Sequence, residues 1–354
     1  MALSPAAHIL TTWEAIPGNS KIVKRDGRKL LVQPSLLFPE DNSAAQVYRY
    51  ELNVHHQLKA RLLDIGAVVQ IVRETSLTPE DFLVEGRPPA RRVQDPASLA
   101  WNLSTTAYFK AGGRPWKLAD VREGVCYIGL VFKMDSTKPQ AGNACCGVQM
   151  FLDSGDGLVF KGAVGPWYSS SSGEFHLSHD AAKDLISKVL RTYARDHGSA
   201  PKEVFIHGKT YFGEDEWAGL SESVSAKTNL VGVRITDAGD FKLYGPSTTP
   251  ALRGTACQLN RRRGYLWTRG FVAQLNTYAG REVPNPLDVR IDSGESELLQ
   301  VMRDIMGITK VNFNACILAE GYPVTLRFAD AVGEILTSDP ISSDLPPLPF
   351  RHYI

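Results

Sequence analysis

Strand-like and helix-like segments alternate along this chain, and this order constrains the fold more than any other feature of the sequence. Some segments repeat apolar residues at helical spacing, whereas others are short β-branched runs bounded by turn residues. Such alternation is typical of α/β proteins, in which helices cover a sheet. With 354 residues, of which 43% are hydrophobic, the chain is long enough for two domains with a buried core. We therefore predict a two-domain α/β protein.

The first predicted domain covers residues 21–122 and follows a leader of residues 1–20. Its apolar residues first form a run typical of a buried strand and then recur every three or four residues, as in a helix. A short β-branched run typical of a second strand follows. Glycine is expected to end both of its helices, at Gly66 and at Gly112. The strand–helix–strand order predicts a small Rossmann-like unit with a parallel sheet. We expect strands at Lys29–Phe38 and Ala67–Val72 and helices at Tyr48–Leu63 and Ala97–Ala111.

The second predicted domain covers residues 123–354 and mixes strands with helices. We expect helices at His179–His197, Glu295–Met306 and Arg327–Leu336, and a loop at Glu214–Glu216. The expected strands are Val125–Lys133, Gly147–Leu152, Gly157–Val164, Val204–His207, Leu230–Ile235, Gly264–Thr268 and Leu287–Ile291.

Composition narrows the classes of function. The net charge is only +1, so a surface for nucleic acid must come from local clusters of Lys and Arg. The five cysteines show neither metal-ligand spacing nor a disulfide framework, which favours reduced thiols in a cytoplasmic protein. No apolar run reaches the roughly 18 residues of a membrane span, so we expect no membrane insertion.

Four polar side chains of the first domain are candidates for a phosphate-binding site. His55 and Lys59 lie one helical turn apart, Gln70 follows on the next predicted strand, and Lys110 lies in the last turn of the later helix. In a Rossmann-like unit such groups meet at one end of the sheet, where anions are favoured. Ammonium, imidazole and amide groups suit a terminal phosphate with nearly two negative charges. The alternative is that the His-Lys pair is simply solvated.

These residues form a pattern that resembles the MID domain of Argonautes. The pattern is HxxxK at His55, then Gln70, then KAGG at Lys110 after an AWNLS helix. Later segments resemble the PIWI domain in order, namely GVCYIGLVFK, EVFIHG, GYLWTRGF, EVPNPLDVRI and TKVNFNACILAEGYPVTLRFADAVGEIL. The resemblance covers nearly the entire chain and implies a Rossmann-like MID domain followed by a ribonuclease H-like PIWI domain. It implies that His55, Lys59, Gln70 and Lys110 hold the phosphorylated 5′ end of a guide nucleic acid.

The resemblance also implies a divalent cation beside the guide. In Argonautes the C-terminal carboxylate reaches back to a cation that bridges the first and third guide phosphates. Here that carboxylate belongs to Ile354, and Gln70 is the second candidate ligand. Hard cations prefer oxygen ligands, so we expect Mg²⁺. The alternative is that the proline-rich tail is a disordered end or a PxxP ligand for another domain.

The resemblance does not extend to the carboxylates with which PIWI nucleases hold two metal ions. The first expected Asp falls on Val131, and the second falls on Gly208 or Lys209. Only the last position is acidic, at Asp330, whose alternative role is at a helix start. Glu174 is a candidate for the mobile glutamate of the family but has no reliable alignment with it. We therefore expect no catalysis, with Asp330 as a vestigial candidate.

A run of basic and aromatic residues, RRRGYLWTR, offers contacts to a nucleic-acid backbone at Arg261, Arg263 and Arg269. Lys310 and Asn314 are further candidates. The alternative is that the arginines are solvated and the aromatic residues face the core, with Lys310 and Asn314 at its edge.

We predict a short prokaryotic-type Argonaute that pairs a guide with target nucleic acid for defence. The residues do not distinguish RNA from DNA, but we favour an RNA guide and a DNA target. The resemblance implies an APAZ-containing partner that carries the effector activity. Two alternatives are a guide-directed endonuclease with an atypical metal site and an interaction subunit that has lost guide loading.

Overall fold

The computed structural model describes residues 56–83, 86, 93–117, 122–134, 144–151, 157–164, 167–169, 174–245, 249–278, 280, 282–313, 320–328, 332–333, 335–336 and 347–354. The predicted leader, the predicted strand Lys29–Phe38 and His55 lie outside these residues. Asn314 and Asp330 lie outside them as well.

Helices begin and end where the local sequence supplies caps. The Ser178 hydroxyl accepts a hydrogen bond from the Ala181 amide at 3.3 Å, and Gly198 ends the same helix with a φ of +74°. Asp95 caps the helix after Pro96 by accepting from the Ser98 amide at 2.9 Å. The helices are 56–63 (α1), Glu74–Leu77 (α2), Pro96–Lys110 (α3), His179–His197 (α4), Glu214–Glu222 (α5), Leu298–Ile308 (α6) and Val324–Arg327 (α7), and the 3₁₀ turns are Pro79–Phe82, Ala273–Leu275 and Phe350–His352.

The strands build one large sheet and one small hairpin. They are Val125–Met134 (β1), Ala144–Phe151 (β2), Gly157–Val164 (β3), Trp167–Ser169 (β4), Glu174–His176 (β5), Glu203–Gly208 (β6), Asn229–Asp237 (β7), Ala256–Gln258 (β8), Arg263–Leu266 (β9), Leu287–Ser293 (β10) and Leu348–Pro349 (β11). Nine of them form a sheet in the order β11-β3-β2-β1-β6-β7-β10-β9-β8, and β4 pairs with β5. β6 is parallel to β1 and to β7, and the other pairs are antiparallel. The residues that follow β6 and β7 therefore share one edge of the sheet.

Both faces of the central strands are buried. Along β1, Val125 and Tyr127 belong to a cluster that contains α6 and Ala60 of α1, whereas Cys126 and Ile128 belong to a cluster that contains α4. This alternation follows from the two-residue period of a strand. The ring of Phe109, in α3, lies 5.0 Å from the ring of Phe313 in the first cluster. The N-terminal helices and the large sheet thus share one hydrophobic core.

Gly129 allows α7 to approach β1 closely. A Cβ at this position would lie 1.9 Å from the carbonyl oxygen of Thr325, so no larger residue fits. The hydroxyl of Thr325 lies 2.9 Å from Nδ1 of His207, near the end of β6. Gly129 therefore lets α7 pack directly on β1, and the contact between Thr325 and His207 joins α7 to β6.

Most of the predicted elements are confirmed. β3 and α4 have the predicted bounds, and the ends of the other predicted strands of the second domain differ by at most three residues. Helix α1 ends at residue 63, and the turn that follows it closes at the predicted stop, Gly66, whose φ is +63°. The predicted helix Arg327–Leu336 is described in part, with α7 before it and residues 332–333 and 335–336 helical. Within the described part of the chain, no helix is long and apolar enough to cross a membrane.

Two predicted elements are wrong. Ala67–Val72 is not a strand, and the Val69 carbonyl accepts a hydrogen bond from the Lys110 ammonium. Glu214–Glu216 is not a loop but the start of α5. No Ser, Thr, Asp or Asn precedes this helix, and the Glu216 carboxylate itself accepts from the Gly213 amide at 3.4 Å.

Candidate nucleic-acid-binding site

Lys59 is buried on α1, with only 5% of its surface exposed. Its neighbours Ala60 and Leu63 belong to the hydrophobic core, so the helix is held by its apolar side. The Lys59 ammonium donates a hydrogen bond to the carbonyl oxygen of Tyr353 at 3.1 Å. A buried ammonium is costly unless it is hydrogen-bonded, so this contact ties α1 to the end of the chain.

Lys110 is the last residue of α3 and joins three segments. Its ammonium donates to the carbonyl of Val69 at 3.0 Å and to the carbonyl of Arg351 at 3.1 Å. The chain leaves the helix through Gly112, whose φ of +95° favours glycine. A Cβ on Gly112 would meet Arg351 Nη1 at 3.4 Å, so the Arg351 guanidinium lies beside this turn.

The C-terminal segment supplies backbone carbonyls to both lysines. Phe350 begins a short 3₁₀ turn, and the Tyr353 amide donates to the Phe350 carbonyl at 3.0 Å. Phe350, Tyr353 and Ile354 are buried and belong to the core cluster that contains Ala60. The last residues are therefore packed beneath α1 and α3, with the backbone of residues 351 and 353 directed at the two ammonium groups.

The two lysines are held in an electrostatically unfavourable state. Burial lowers the pKa of Lys59 to about 8. Burial and the positive charge of Lys59 lower the pKa of Lys110 to about 7. Burial also lowers the pKa of His352, and the charges of Arg351 and Lys110 lower it further. An anion placed among these groups would stabilise their charged forms, which is the electrostatic requirement of a phosphate site.

Two of the four predicted phosphate ligands are brought together. Lys59 and Lys110 converge on residues 351–353. Gln70 lies beside Val69, and its amide donates to the Ile71 carbonyl at 3.1 Å rather than facing either ammonium. His55 lies outside the described residues. The prediction missed Arg351, although its position in the basic tail FRHYI was a usable signal.

The expected carboxylate positions carry other groups. Val131 lies on β1, and Gly208 ends β6. His207, one residue earlier, is 1% exposed, and burial lowers its pKa to about 3, so it is neutral at physiological pH. Asp330 lies outside the described residues. The end of β6 therefore presents no carboxylate of its own.

Glu216 is a buried carboxylate that links two elements of the fold. It is 2% exposed, accepts from the Leu177 amide at 3.2 Å and lies 3.3 Å from Nδ1 of His176. Burial raises its pKa. These contacts join α5 to the end of β5, which explains why an acidic residue is retained in this interior position.

The predicted backbone contacts have different surroundings. Arg261, Arg269 and Lys310 are exposed, while Asn314 lies outside the described residues. Arg263 instead pairs with Asp288, at 2.9 Å, so a phosphate would have to compete with a carboxylate there. Arg261, Arg269 and Lys310 therefore remain accessible candidates for a nucleic-acid backbone.

A chain of contacts links the lysine pair to Arg269. Trp116 donates to the Lys310 carbonyl at 2.7 Å and packs against Phe313, which also contacts Phe109 beside Lys110. Arg253, which the sequence prediction missed, donates to the hydroxyl of Thr309 and to the carbonyl of Thr268, both at 2.9 Å. These contacts join α3 to the segments that carry Lys310 and Arg269.

The structure resembles solved Argonautes, while no protein-family model and no curated protein matches the sequence. Against Clostridium butyricum Argonaute bound to guide DNA and target DNA the TM-score is 0.63 at 14% identity, over 84% of this chain and 37% of that one. Against Aquifex aeolicus Argonaute the TM-score is 0.57 at 15% identity, and the match covers 85% of this chain and 39% of that one. For an Aa-Ago structure with externally bound siRNA the TM-score is 0.54 at 14% identity, and the match covers 84% of this chain and 38% of that one.

The chain therefore spans a little over a third of the length of the Argonautes that it matches. The likeness confirms the predicted fold, a mixed α/β protein of the Argonaute MID–PIWI kind with a ribonuclease H-like sheet.

Proposed function

We propose that this chain, which has an Argonaute-like fold, binds the phosphorylated 5′ end of a guide nucleic acid and presents the guide for pairing with a target. One observation carries the proposal, namely the convergence of the buried Lys59 and Lys110 ammonium groups on the C-terminal turn. In such a protein, base pairing reads the target sequence, while the protein recognises the end and backbone of the guide.

A guide phosphate would neutralise the positive charges of Lys59 and Lys110, which neutral backbone carbonyls cannot do. Both ammonium groups donate to neutral carbonyls, and the charge of Lys59 itself lowers the pKa of Lys110. A terminal phosphate brings nearly two negative charges and three acceptor oxygens. Arg351 lies close enough to the Gly112 turn to add a further cation. We expect His55 and Gln70 to complete the pocket when a guide is bound.

We propose that the guide backbone then follows Lys310 and Arg269. The support is that both side chains are exposed, with the Lys310 carbonyl accepting a hydrogen bond from Trp116 and Arg269 following the buried Thr268. Arg261 is a further exposed candidate two residues before β9, and Arg263 pairs with Asp288.

Magnesium is the cofactor that we propose beside the guide. Carbonyl, amide and carboxylate oxygens suit this hard cation, and the buried tail brings the Arg351 and Tyr353 carbonyls and the end of Ile354 near the lysines. The guide phosphates would supply the remaining oxygen ligands, with Gln70 and the Ile354 carboxylate as the protein's part. When bound, the cation would neutralise phosphate charge that the lysines do not reach.

We propose that the chain does not cleave the target. Two-metal catalysis needs several converging carboxylates, whereas Val131 lies on β1 and Gly208 and the neutral His207 lie at the end of β6. The second candidate function is a guide-directed endonuclease that uses Asp330 with other acids. Guide-loaded protein incubated with labelled target and Mg²⁺ or Mn²⁺ should leave the target intact. Guide-dependent products that disappear in Asp330→Ala would establish the endonuclease instead.

The biological role we propose is defence by a short prokaryotic Argonaute, with an RNA guide, a DNA target and an APAZ-containing effector partner. The support is the resemblance to short Argonautes that lack the full carboxylate set. Effector output would then depend on the partner, not on this chain.

Sequencing the nucleic acids that co-purify with the chain tests the proposed function. We expect short oligonucleotides that are ligated to adapters only when their 5′ phosphate is retained, with RNA predominating. The matched control is Lys59→Met/Lys110→Met, which should carry much less. Protein that folds but carries no short nucleic acid, in the wild type as in the variant, would support an interaction subunit and contradict the proposal.

A further inference from the structure

β8 is the last strand of the large sheet, and among the strands that the structure describes it pairs with β9 alone. The Trp267 amide donates to the Thr255 carbonyl at 2.9 Å, so Thr255 belongs to a hydrogen-bonded pair. Such pairs alternate with non-bonded ones in an antiparallel ladder, so the N–H and C=O groups of Ala256 and Gln258 point away from β9. Both residues are exposed. The sheet therefore ends in an open edge.

Exposed apolar side chains surround this edge. Leu252 precedes β8 and Leu259 follows it, with 53% and 50% of their surface exposed, and Leu299 of α6 is 37% exposed. Proteins commonly protect an edge strand with lysine, proline or a bulge, and β8, whose sequence is ACQ, carries none of these. The edge is therefore able to accept another strand.

Helix α6 lies beside β8 and β9. A Cβ on Gly264, in β9, would lie 2.5 Å from Met302 Cε, and a Cβ on Gly254, just before β8, would lie 3.9 Å from Met306 Cε. These contacts place one side of α6 directly against the last two strands of the sheet. The helix and the open edge thus form the two walls of a groove.

The helical period indicates which side chains of α6 line this groove. At about 100° per residue, Leu299 and Arg303 lie beyond the two methionines, away from the buried side of the helix. Asp304 lies on the opposite flank and pairs with Arg122, which also pairs with the first residue of β6. Because that flank faces β6, Leu299 and Arg303 face the side of the sheet that ends in β8.

The groove carries positive charge. Arg261 and Arg303 are exposed, and neither forms an ion pair with another residue in the described part of the chain. The adjacent Arg262 pairs with Glu295 at 2.8 Å, and Glu297 precedes α6 on the flank that faces β6. Two guanidinium groups without a carboxylate partner therefore remain beside the edge.

We propose that the β8 edge and α6 form a docking site for an extended acidic segment of a partner protein, which adds to the sheet as a further strand. Main-chain hydrogen bonds to Ala256 and Gln258 hold the added strand, and its alternate apolar side chains pack on α6 beside Leu299. Its carboxylates face Arg261 and Arg303, which favours acidic over basic segments. The inference concerns protein binding and stands whether or not a guide is loaded.

A second copy of this chain fits the edge less well than an acidic segment. Antiparallel pairing of two β8 strands about Cys257 would set Arg261 of one copy opposite Arg253 of the other, so like charges would meet at both ends of the pair. An acidic strand has no such repulsion.

A synthetic peptide tests the edge directly. The probe is a short fluorescent peptide of alternating isoleucine and glutamate, titrated with the full chain in the absence of guide. One version is N-methylated on its isoleucines and another on its glutamates, and each modification removes the donors along one side of the strand only. We expect saturable binding of the unmodified peptide. One methylated version should bind at least about tenfold more weakly, while the other keeps most of the affinity.

Substitutions in the chain separate the edge from the charge. The Ala256 amide points outward, so Ala256→Pro should weaken peptide binding about tenfold while the unfolding midpoint stays close to that of wild type. Arg303→Glu should weaken it about fivefold. The matched control is Arg191→Glu, because Arg191 is exposed on α4, which packs on the opposite face of the sheet. This control should bind as wild type does.

Three results would overturn the inference. The first is no saturable binding at millimolar peptide. The second is equal binding of the two methylated peptides, which would show that charge alone attracts them. The third is dimerisation of the chain that Ala256→Pro abolishes, without peptide binding, which would assign the edge to a second copy. Since these measurements contain no guide, a failure of guide loading leaves them unaffected.

Discussion

The Lys59 ammonium donates a hydrogen bond to the Tyr353 carbonyl at 3.1 Å, across 294 positions of sequence. Both residues are buried, with 5% and 4% of their surface exposed. The bond places the end of the chain beneath the helix that carries Lys59. Since Lys110 donates to Arg351 in the same turn, the tail and the proposed phosphate pocket form one structure.

The first prediction concerns the packing of this tail. Tyr353→Ala should remove a buried ring and lower the free energy of unfolding by about 3–5 kcal/mol. It should also weaken guide loading, because Lys59 would lose the ordered carbonyl that positions it. Tyr353→Phe keeps the ring and should change stability by less than about 1.5 kcal/mol. Urea unfolding and guide titration measure the two effects, and equal behaviour of both variants would contradict the packing described here.

The second prediction concerns stability and pH without guide. Burial lowers the pKa of Lys59 to about 8 and that of Lys110 to about 7, from an ordinary value of 10.5. Between about pH 7 and pH 10 the unfolded chain therefore binds more protons than the folded chain, so the free energy of unfolding rises with pH. Below about pH 6, one unit under the lower of these pKa values, both lysines are charged in both states and contribute no slope.

Denaturant unfolding at pH 7, 8 and 9 checks this slope. Each pKa unit corresponds to about 1.4 kcal/mol. The variant Lys59→Met/Lys110→Met should show a flatter dependence on pH than wild type. An identical slope in both proteins would mean that these lysines titrate normally.

The third prediction is proton uptake on guide loading. A phosphate raises the pKa of a neighbouring lysine, so at pH 8 binding should protonate Lys59 and Lys110. Calorimetry in two buffers of different ionisation enthalpy should give different apparent heats, and their difference measures the protons taken up. The difference should shrink in Lys110→Met. Identical heats in both buffers for wild type would exclude lysine recharging.

The fourth prediction tests the close approach of α7 to β1. Gly129→Ala would place a Cβ 1.9 Å from the Thr325 carbonyl oxygen, so it should destabilise the protein by about 1–3 kcal/mol or more. Gly239→Ala is the matched control, because a Cβ there meets no atom within 4 Å. A lower unfolding midpoint is expected for the first variant alone. If Gly129→Ala is as stable as Gly239→Ala, α7 does not pack as described.

Local sequence signals predicted most helices and strands, whereas the candidate phosphate pocket depends on contacts between residues far apart in sequence. Ser178 and Gly198 bound α4 where their cap preferences indicate, and the β-branched runs of β6 and β7 follow the strand pattern. Helix α5 was missed because Gly213 offers no side-chain cap and the anchor of Glu216 is on another element. Likewise, Ala67–Val72 has strand composition but gives the Val69 carbonyl to Lys110.

The candidate pocket was found through resemblance rather than through local pattern. Helical spacing alone leaves Lys59 as a solvated side chain, and nothing near it in sequence indicates a partner at Tyr353. For Arg263 the prediction was less successful. This arginine was expected to contact a phosphate, but it forms an ion pair with Asp288 on the neighbouring strand. Both outcomes depend on tertiary contacts that a spacing rule does not contain.

The most direct measurement compares guides that differ only in a 5′ phosphate. Affinities of a 3′-labelled oligonucleotide with a 5′ phosphate or a 5′ hydroxyl are determined for wild type, Lys59→Met, Lys110→Met and the double variant, with the exposed Lys227→Met as control. We predict at least about tenfold preference for the phosphate in wild type and in the control, since one charge-assisted bond contributes about 1.5–3 kcal/mol. The preference should fall in each single variant and fall furthest in the double variant. Equal affinity of the wild-type protein for both guides would contradict the account.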